Sequence, residues 1–137
     1  MIIDATNLIA GRLASVAAKK ALLGEDVFIV NAEAALISGK KKFVAGKYDA
    51  QAKRGEPFHG PFLPKTPDRF LKRIIRGMLP YKQYKGLSAF KRIKCYNGLP
   101  EGFKDKHLES IDKAQLTKRN IMHFMTIGDI CNAVKQR

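Results

Sequence analysis

The sequence predicts an α/β fold, and three observations near its start carry that prediction. Ile2-Ile3 opens a short apolar strand ending at Asp4-Ala5, a helical segment runs from about Gly11 to Leu23, and Val27–Val30 is a continuous apolar run. A run without polar alternation suits a strand covered on both faces. Strand, helix and strand in that order form the unit of a parallel pair with a right-handed crossover.

Within the first helix, Leu13, Val16, Ala17, Lys20 and Ala21 lie along one side. The alanines at 14, 17, 18 and 21 permit close packing on a sheet, and Gly24 stands where helices commonly end in a left-handed residue. The loop before this helix, Thr6 to Arg12, has one glycine and neither of the phosphate-loop patterns. No nucleotide cofactor is expected there, and Arg12 is left to reach a backbone phosphate of a large partner.

Residues 34–38 read as a third short strand. The link from Val30 is very short for a parallel crossover, which needs about a dozen residues, so the direction of this strand stays open. Lys40, Lys41 and Lys42 then open a helical pattern that continues to about Arg54, with Phe43, Val44, Tyr48 and Ala52 as its apolar side and Lys40, Lys47, Lys53 and Arg54 on the rest. Three lysines at a helix N-terminus oppose the macrodipole. A local rule broken in this way marks either function or a solubilising helix end. Between Gly55 and Pro67 the prolines at 57, 61, 64 and 67 exclude regular helix. The segment is expected to be extended, with Phe58 and Phe62 docked on the protein or on a partner.

The stretch from Thr66 to Gly98 organises the chain. Thr66 suits an N-cap, Pro67 the first helical position, and Asp68 the positive end of the dipole. Arg69, Lys72, Arg73 and Arg76 recur at helical spacing within about 100° of one another, while Phe70, Leu71, Ile74, Ile75 and Met78 cover the opposite side. A solvated face usually mixes signs at i,i+4, and this one contains no acid. Such repulsion is relieved by a polyanion. Leu79-Pro80 stops the helix. The loop from Pro80 to Gly86 alternates Tyr81 and Tyr84 with Lys82 and Lys85, then a short helix is predicted at Leu87–Arg92, a strand at Ile93–Tyr96 and a turn at Asn97-Gly98. Beyond it, Leu108–Leu116 reads as helix ending across Thr117–Asn120. His123–Thr126 is a short apolar segment. Thr126-Ile-Gly-Asp129 resembles a capping box opening a last amphipathic helix with Ile127, Ile130 and Val134.

At 137 residues and 45% apolar content the chain suits a single domain, residues 1–137, with a real core. Its net charge is +14. Residues 40–94 hold 16 Lys/Arg against 3 Asp/Glu, so nearly the whole excess sits in one stretch, an electrostatic footprint for nucleic acid rather than for a membrane. No apolar run approaches a membrane span and the N-terminus lacks the pattern of a signal peptide, so a cytoplasmic location is expected. Cys95 and Cys131 read as two small buried side chains rather than a disulfide.

Chemistry has few footholds. His59, His107 and His123 lack metal-ligand spacing, no nucleophile elbow or Cys–His pair is visible, and the 12 acids include no D-x-D pair. Asp4, at a strand end where α/β enzymes often place an acid, is read as fixing a loop. No catalysis, metal, cofactor or small-molecule substrate is expected.

Six motifs come in order: Ile3-Asp-Ala5, Gly11-Arg-Leu-Ala-Ser15, Val30-Asn-Ala-Glu33, Ile37-Ser-Gly39, Arg76-Gly-Met-Leu-Pro80 and Lys94-Cys-Tyr-Asn-Gly98. Together they resemble the L-thirteen family of large-subunit ribosomal proteins over roughly residues 2–98, and Pro80-Tyr-Lys82 with the short length resembles its archaeal type. The resemblance implies a three-layer α/β/α fold with a four-stranded, mostly parallel sheet in the order 3-2-1-4, with the four segments 2–5, 27–31, 34–38 and 93–96 as its strands. It also implies a structural role: binding large-subunit ribosomal RNA beside neighbouring ribosomal proteins and supporting subunit assembly. On this reading Arg69, Lys72, Arg73, Arg76, Lys82 and Lys85 contact phosphates. Lys40, Lys41, Lys42, Lys53 and Arg54 extend the surface with Arg12, and Tyr84 joins Tyr81, Phe58 and Phe62 as rings for unpaired bases or for packing on the protein itself. An RNA-modifying enzyme and a free regulatory RNA binder are the rival classes. The first wants clustered acids or a cofactor loop, and the second could be an additional task of the same surface.

Overall fold

The structure is a computed structural model that describes residues 1–56, 58–116 and 122–135. Along it run β1 (Ile2–Asp4), α1 (Ala10–Leu22), β2 (Val27–Val30), β3 (Leu36–Ser38), α2 (Lys41–Ala52), α3 (Pro67–Gly77), α4 (Tyr84–Arg92), β4 (Ile93–Cys95), β5 (Phe124–Thr126) and α5 (Ile127–Lys135). Short 3-10 turns lie at Ala32–Ala34, Glu101–Phe103 and Asp112–Ala114.

The fold is mixed α/β around a parallel sheet. β2 is central, with β1 and β4 parallel on either side. Ile3 stands opposite Ile29 and Ile29 opposite Cys95, so these side chains share one face. Ile3, Val27, Ile29 and Ile93 are fully buried. The alanines of α1 do what their size predicts: Ala14, Ala17, Ala18 and Ala21 are buried with Leu13, which lets α1 pack closely against α3 and α4. On the other face, the Phe28 ring lies 5.4 Å from Phe103, which is 5.7 Å from Tyr96. That face is covered by the chain around the 101–103 turn.

The expected four-stranded sheet in the order 3-2-1-4 is corrected. The parallel sheet has three strands, in the order β1-β2-β4, and the segment at 34–38 is not one of them. Asn31 adopts a left-handed conformation (φ 55°) and the 3-10 turn at Ala32–Ala34 swings the chain out of the sheet. Five residues between β2 and β3 cannot make a crossover helix. β3 therefore pairs antiparallel with β5, Leu36 opposite Thr126 and Ser38 opposite Phe124.

The segment 108–116 is not an α-helix. Glu109 takes up the free edge of β1, donating its N–H to the Ile2 carbonyl at 2.8 Å while its own carbonyl accepts from the Asp4 N–H at 3.1 Å. Gln115 forms an antiparallel bridge with Leu8, beyond the end of β1. The apolar spacing that suggested a helix instead places Ala114 in the core and Ile111 against it across a single 3-10 turn. The expected helix end at Thr117–Asn120 lies outside the described residues.

α2 and α5 pack on each other and beside β5, and α5 also packs on α3. Val44 is the buried residue of α2, and the Tyr48 ring meets Phe70 edge-on at 5.0 Å. Phe43, expected on that apolar side, is 71% exposed, because Val44 and Tyr48 at i,i+4 define the inward face and Phe43 lies one step round it. Met78 is likewise more exposed than expected. At the start of α5 the anticipated cap is present: the Thr126 hydroxyl oxygen accepts from the Asp129 N–H at 3.0 Å.

Candidate nucleic-acid interface

α3 is anchored by Phe70, Leu71 and Ile75, all buried, and this fixes where its cations point. Arg69, Lys72, Arg73 and Arg76 border a cleft of about 580 Å³. Phe62 and Pro64 of the proline-rich segment form one wall, Phe90 of α4 another, and Lys94, Cys95 and Tyr96 of the β4 end a third. The cations are held by rings rather than by acids. The Lys72 ammonium lies 4.9 Å over Phe90, the Arg76 guanidinium 5.2 Å over Tyr81, and the Lys94 ammonium 5.8 Å over Phe28. Such contacts orient a cation without neutralising it. Among the described residues none of these cations forms an ion pair with a carboxylate.

The N-terminus of α3 is capped from outside the helix. Thr66 does not cap it, and its hydroxyl is buried without a hydrogen-bond partner among the described residues. Asn97 supplies the cap, its Oδ1 accepting from the Asp68 N–H at 3.1 Å and its Nδ2 donating to Asp68 Oδ1 at 3.4 Å. The Asn97-Gly98 turn is itself held at the ends of the parallel strands. The Gly98 N–H donates to both carboxylate oxygens of Glu33 at 3.0 Å, and its carbonyl accepts from the Asn31 N–H.

Side-chain hydrogen bonds also occupy the carboxyl end of β1, the position where an open α/β sheet would bind a ligand. Asp4 Oδ1 accepts from the Thr6 N–H and hydroxyl and, at 2.9 Å, from Asn31 Nδ2. Burial pushes the Asp4 pKa up, but these hydrogen bonds outweigh it and leave the carboxyl below its ordinary value. Asp4 thus fixes a loop, as its position in the sequence suggested. Burial pushes the Cys95 thiol up to about 12, against the pull of Lys72 and with a smaller push from Asp68, which disfavours the thiolate. Among the described residues no cluster of His, Cys, Asp and Glu could hold a metal ion, and no helix is long and apolar enough to cross a membrane.

The candidate residues fall into separate groups. Arg69, Lys72, Arg73 and Arg76 meet at the cleft, but Arg73 also has a structural task, donating from Nη1 to the Phe62 carbonyl at 2.7 Å and so holding the proline-rich wall. Lys82, Tyr84 and Lys85 are all exposed outside the cleft lining, in the loop that follows Tyr81 and in the first turn of α4, which begins three residues earlier than expected. Lys40 and Lys41 border a different groove, beside His123 and Phe124, and Lys42 a third depression near Val134. Lys53 pairs with Asp49 at 2.9 Å, Arg54 is exposed beside it, and Arg12 donates to the Lys113 carbonyl at 3.1 Å. Phe58 and Phe62 are mostly exposed, while Leu63 of the same segment packs against the core. Lys94 and Tyr96 were missed in the sequence. The signal was the alternation of Ile93, Lys94 and Cys95, which puts Lys94 outward on an edge strand.

Comparison with known sequences agrees with the motif order. The sequence model of the family described as ribosomal protein L13 matches residues 1–102. A protein of Methanococcoides burtonii named large ribosomal subunit protein uL13 is 46% identical over 129 residues, covering 94% of this chain and 93% of its own. The proteins of the same name from Methanosarcina barkeri and Methanopyrus kandleri are 44% and 38% identical, each over 94% of this chain and over 93% and 82% of their own lengths. With a family model matching residues 1–102 and relatives matched across nearly its whole length, the chain belongs to the ribosomal protein L13 family.

Proposed function

We propose that this protein is a non-enzymatic structural constituent of the large ribosomal subunit in the cytoplasm. It binds large-subunit ribosomal RNA beside neighbouring ribosomal proteins, and supports subunit assembly and translation, acting as one RNA-binding domain over residues 1–137. The observation that carries this reading is the cleft: cations of α3 and β4 resting on aromatic rings, with no carboxylate paired to them among the described residues. A neutralised protein surface would have acids there, whereas a phosphate-binding one leaves the charges for the ligand. Arg69, Lys72, Arg76 and Lys94 then form the centre of the RNA face and Lys82, Tyr84 and Lys85 its continuation. Lys40–Lys42, Arg54 and Arg12 make outlying contacts.

The test is a salt titration of binding to large-subunit ribosomal RNA fragments. Each phosphate contact contributes about 0.7–0.9 to the slope of log K against log salt. Arg69→Glu with Arg76→Glu should lower both affinity and slope while the unfolding midpoint stays near that of the parent. Unchanged affinity at moderate salt would contradict the assignment.

A further inference from the structure

The cleft differs from a plain basic surface in three respects. It is a concavity of about 580 Å³, within the range of pockets that enclose one small organic group. Its lining mixes rings, Phe62, Phe90 and Tyr96, with cations. Its only lining acid among the described residues is Asp68. A duplex, with its bases stacked inside and a diameter of roughly 20 Å, presents phosphates to such a site but cannot fill it. An unpaired nucleotide can, because it brings an apolar face for a ring and a charge for a guanidinium.

Asp68 sharpens the choice. Asp68 lines the cleft; one of its carboxylate oxygens, Oδ1, accepts from Asn97, and the other accepts no hydrogen bond from a described residue. A free carboxylate oxygen among cations is an acceptor waiting for a donor. The exocyclic amines of cytosine, adenine and guanine are donors, and cytosine N4 to Asp is an established kind of pairing. Uracil presents a carbonyl oxygen at the corresponding position, which a carboxylate repels, and its one donor on that edge is the ring N3–H between two carbonyls.

We propose that this cleft receives one extruded, unpaired nucleotide of the bound RNA, its base against Phe62, its phosphate on Arg69 and Lys94, and that Asp68 selects a base bearing an exocyclic amine over uracil. The inference rests on the RNA-binding reading above and adds a ligand class to it. Arg73 is a positioning residue in this arrangement, since its bond to the Phe62 carbonyl keeps the stacking wall in place.

The experiment uses the full chain and three probes of equal phosphate count: single-stranded oligo(C), single-stranded oligo(U) and an RNA duplex, titrated by fluorescence anisotropy at moderate salt. The two pyrimidine strands have similar charge and ring size, so their difference isolates the contact to Asp68. Oligo(C) should bind about tenfold more tightly than oligo(U), the scale of one hydrogen bond to a charged group. Phe62→Ala should weaken both single strands about tenfold, the scale of one lost base stack, and leave the duplex unchanged. Asp68→Asn should bring the oligo(C) to oligo(U) ratio close to one, because an amide both donates and accepts. Equal binding of all three probes, or a ratio unchanged by Asp68→Asn, would overturn the nucleotide pocket while leaving the basic face intact. No binding of any probe would overturn both readings together.

Discussion

Asn97 caps the helix that carries the basic face, its side-chain oxygen accepting the backbone N–H of Asp68 at 3.1 Å from 29 residues away in sequence. The turn that follows β4 thus sets the position of the first residues of α3, and the Glu33 carboxylate sets the turn through Gly98. The charged face of α3 is therefore registered to the ends of the parallel strands by polar contacts rather than by its own N-cap residue.

This relationship predicts an asymmetry between two substitutions. Asn97→Ala removes a cap and should cost about 1 kcal/mol. Thr66→Val removes a buried hydroxyl that has no described partner and should be neutral or stabilising. Urea denaturation of both variants checks this. A large loss for Thr66→Val alone would assign the cap to the wrong residue.

Two glycines beside the basic loop should respond in opposite directions. A Cβ at Gly86 would land on the Pro80 carbonyl oxygen, since α4 starts against the chain that stops α3. Gly86→Ala should therefore destabilise the protein by several kcal/mol or refold the loop. At Gly77 nothing lies within 4 Å of the added carbon, and the residue is helical. Gly77→Ala should stabilise by about 0.5–1 kcal/mol. Thermal melts of the pair give the answer.

The Asp4 carboxyl titrates below its ordinary value of 3.8. A depressed carboxyl contributes stability that is fully present above the ordinary value and is lost as pH falls through the folded-state value. Stability should accordingly drop below about pH 4, and Asp4→Asn should flatten that part of the profile while lowering stability at pH 7. Denaturation across pH 2.5–7 reads both effects. A drop of equal steepness in Asp4→Asn would assign the acid sensitivity elsewhere.

Arg73 and Arg76 look equivalent in the sequence and are not. Arg73 holds the Phe62 carbonyl, whereas Arg76 rests on the Tyr81 ring. Arg76→Ala should reduce the salt slope of RNA binding by about 0.7–0.9. Arg73→Ala should in addition speed proteolytic cleavage within residues 55–66. Limited proteolysis of the free proteins separates the two roles, and equal cleavage of the two variants would deny Arg73 its structural task.

The legible parts of the fold were those set by local pattern. The alanine stripe of α1, the glycine after it, the apolar run of β2 and the two-faced α3 each follow from residue spacing within a dozen positions. The pairing of β3 with β5 joins residues about ninety apart, and no local pattern in Leu36–Ser38 states its partner. The segment 108–116 carried a helical spacing, but the free edge of β1 offered Glu109 two backbone hydrogen bonds and tertiary pairing prevailed. In the candidate site, the four cations of α3 were visible because a single helix presents them. The cleft was not, because its other walls come from a proline-rich segment folded back through Leu63 and the Arg73 contact and from an edge strand, where Lys94 and Tyr96 gain meaning only once β4 lies beside α3.

The most direct test of the central claim is sedimentation of cell extract through a sucrose gradient at high salt, with this chain detected across the fractions. The account predicts that it travels with the large subunit, retained by many phosphate and base contacts acting together, and that Arg69→Glu with Arg76→Glu shifts it towards the top. Recovery of the parent protein at the top of the gradient, free of the subunit, would contradict a structural role in the ribosome.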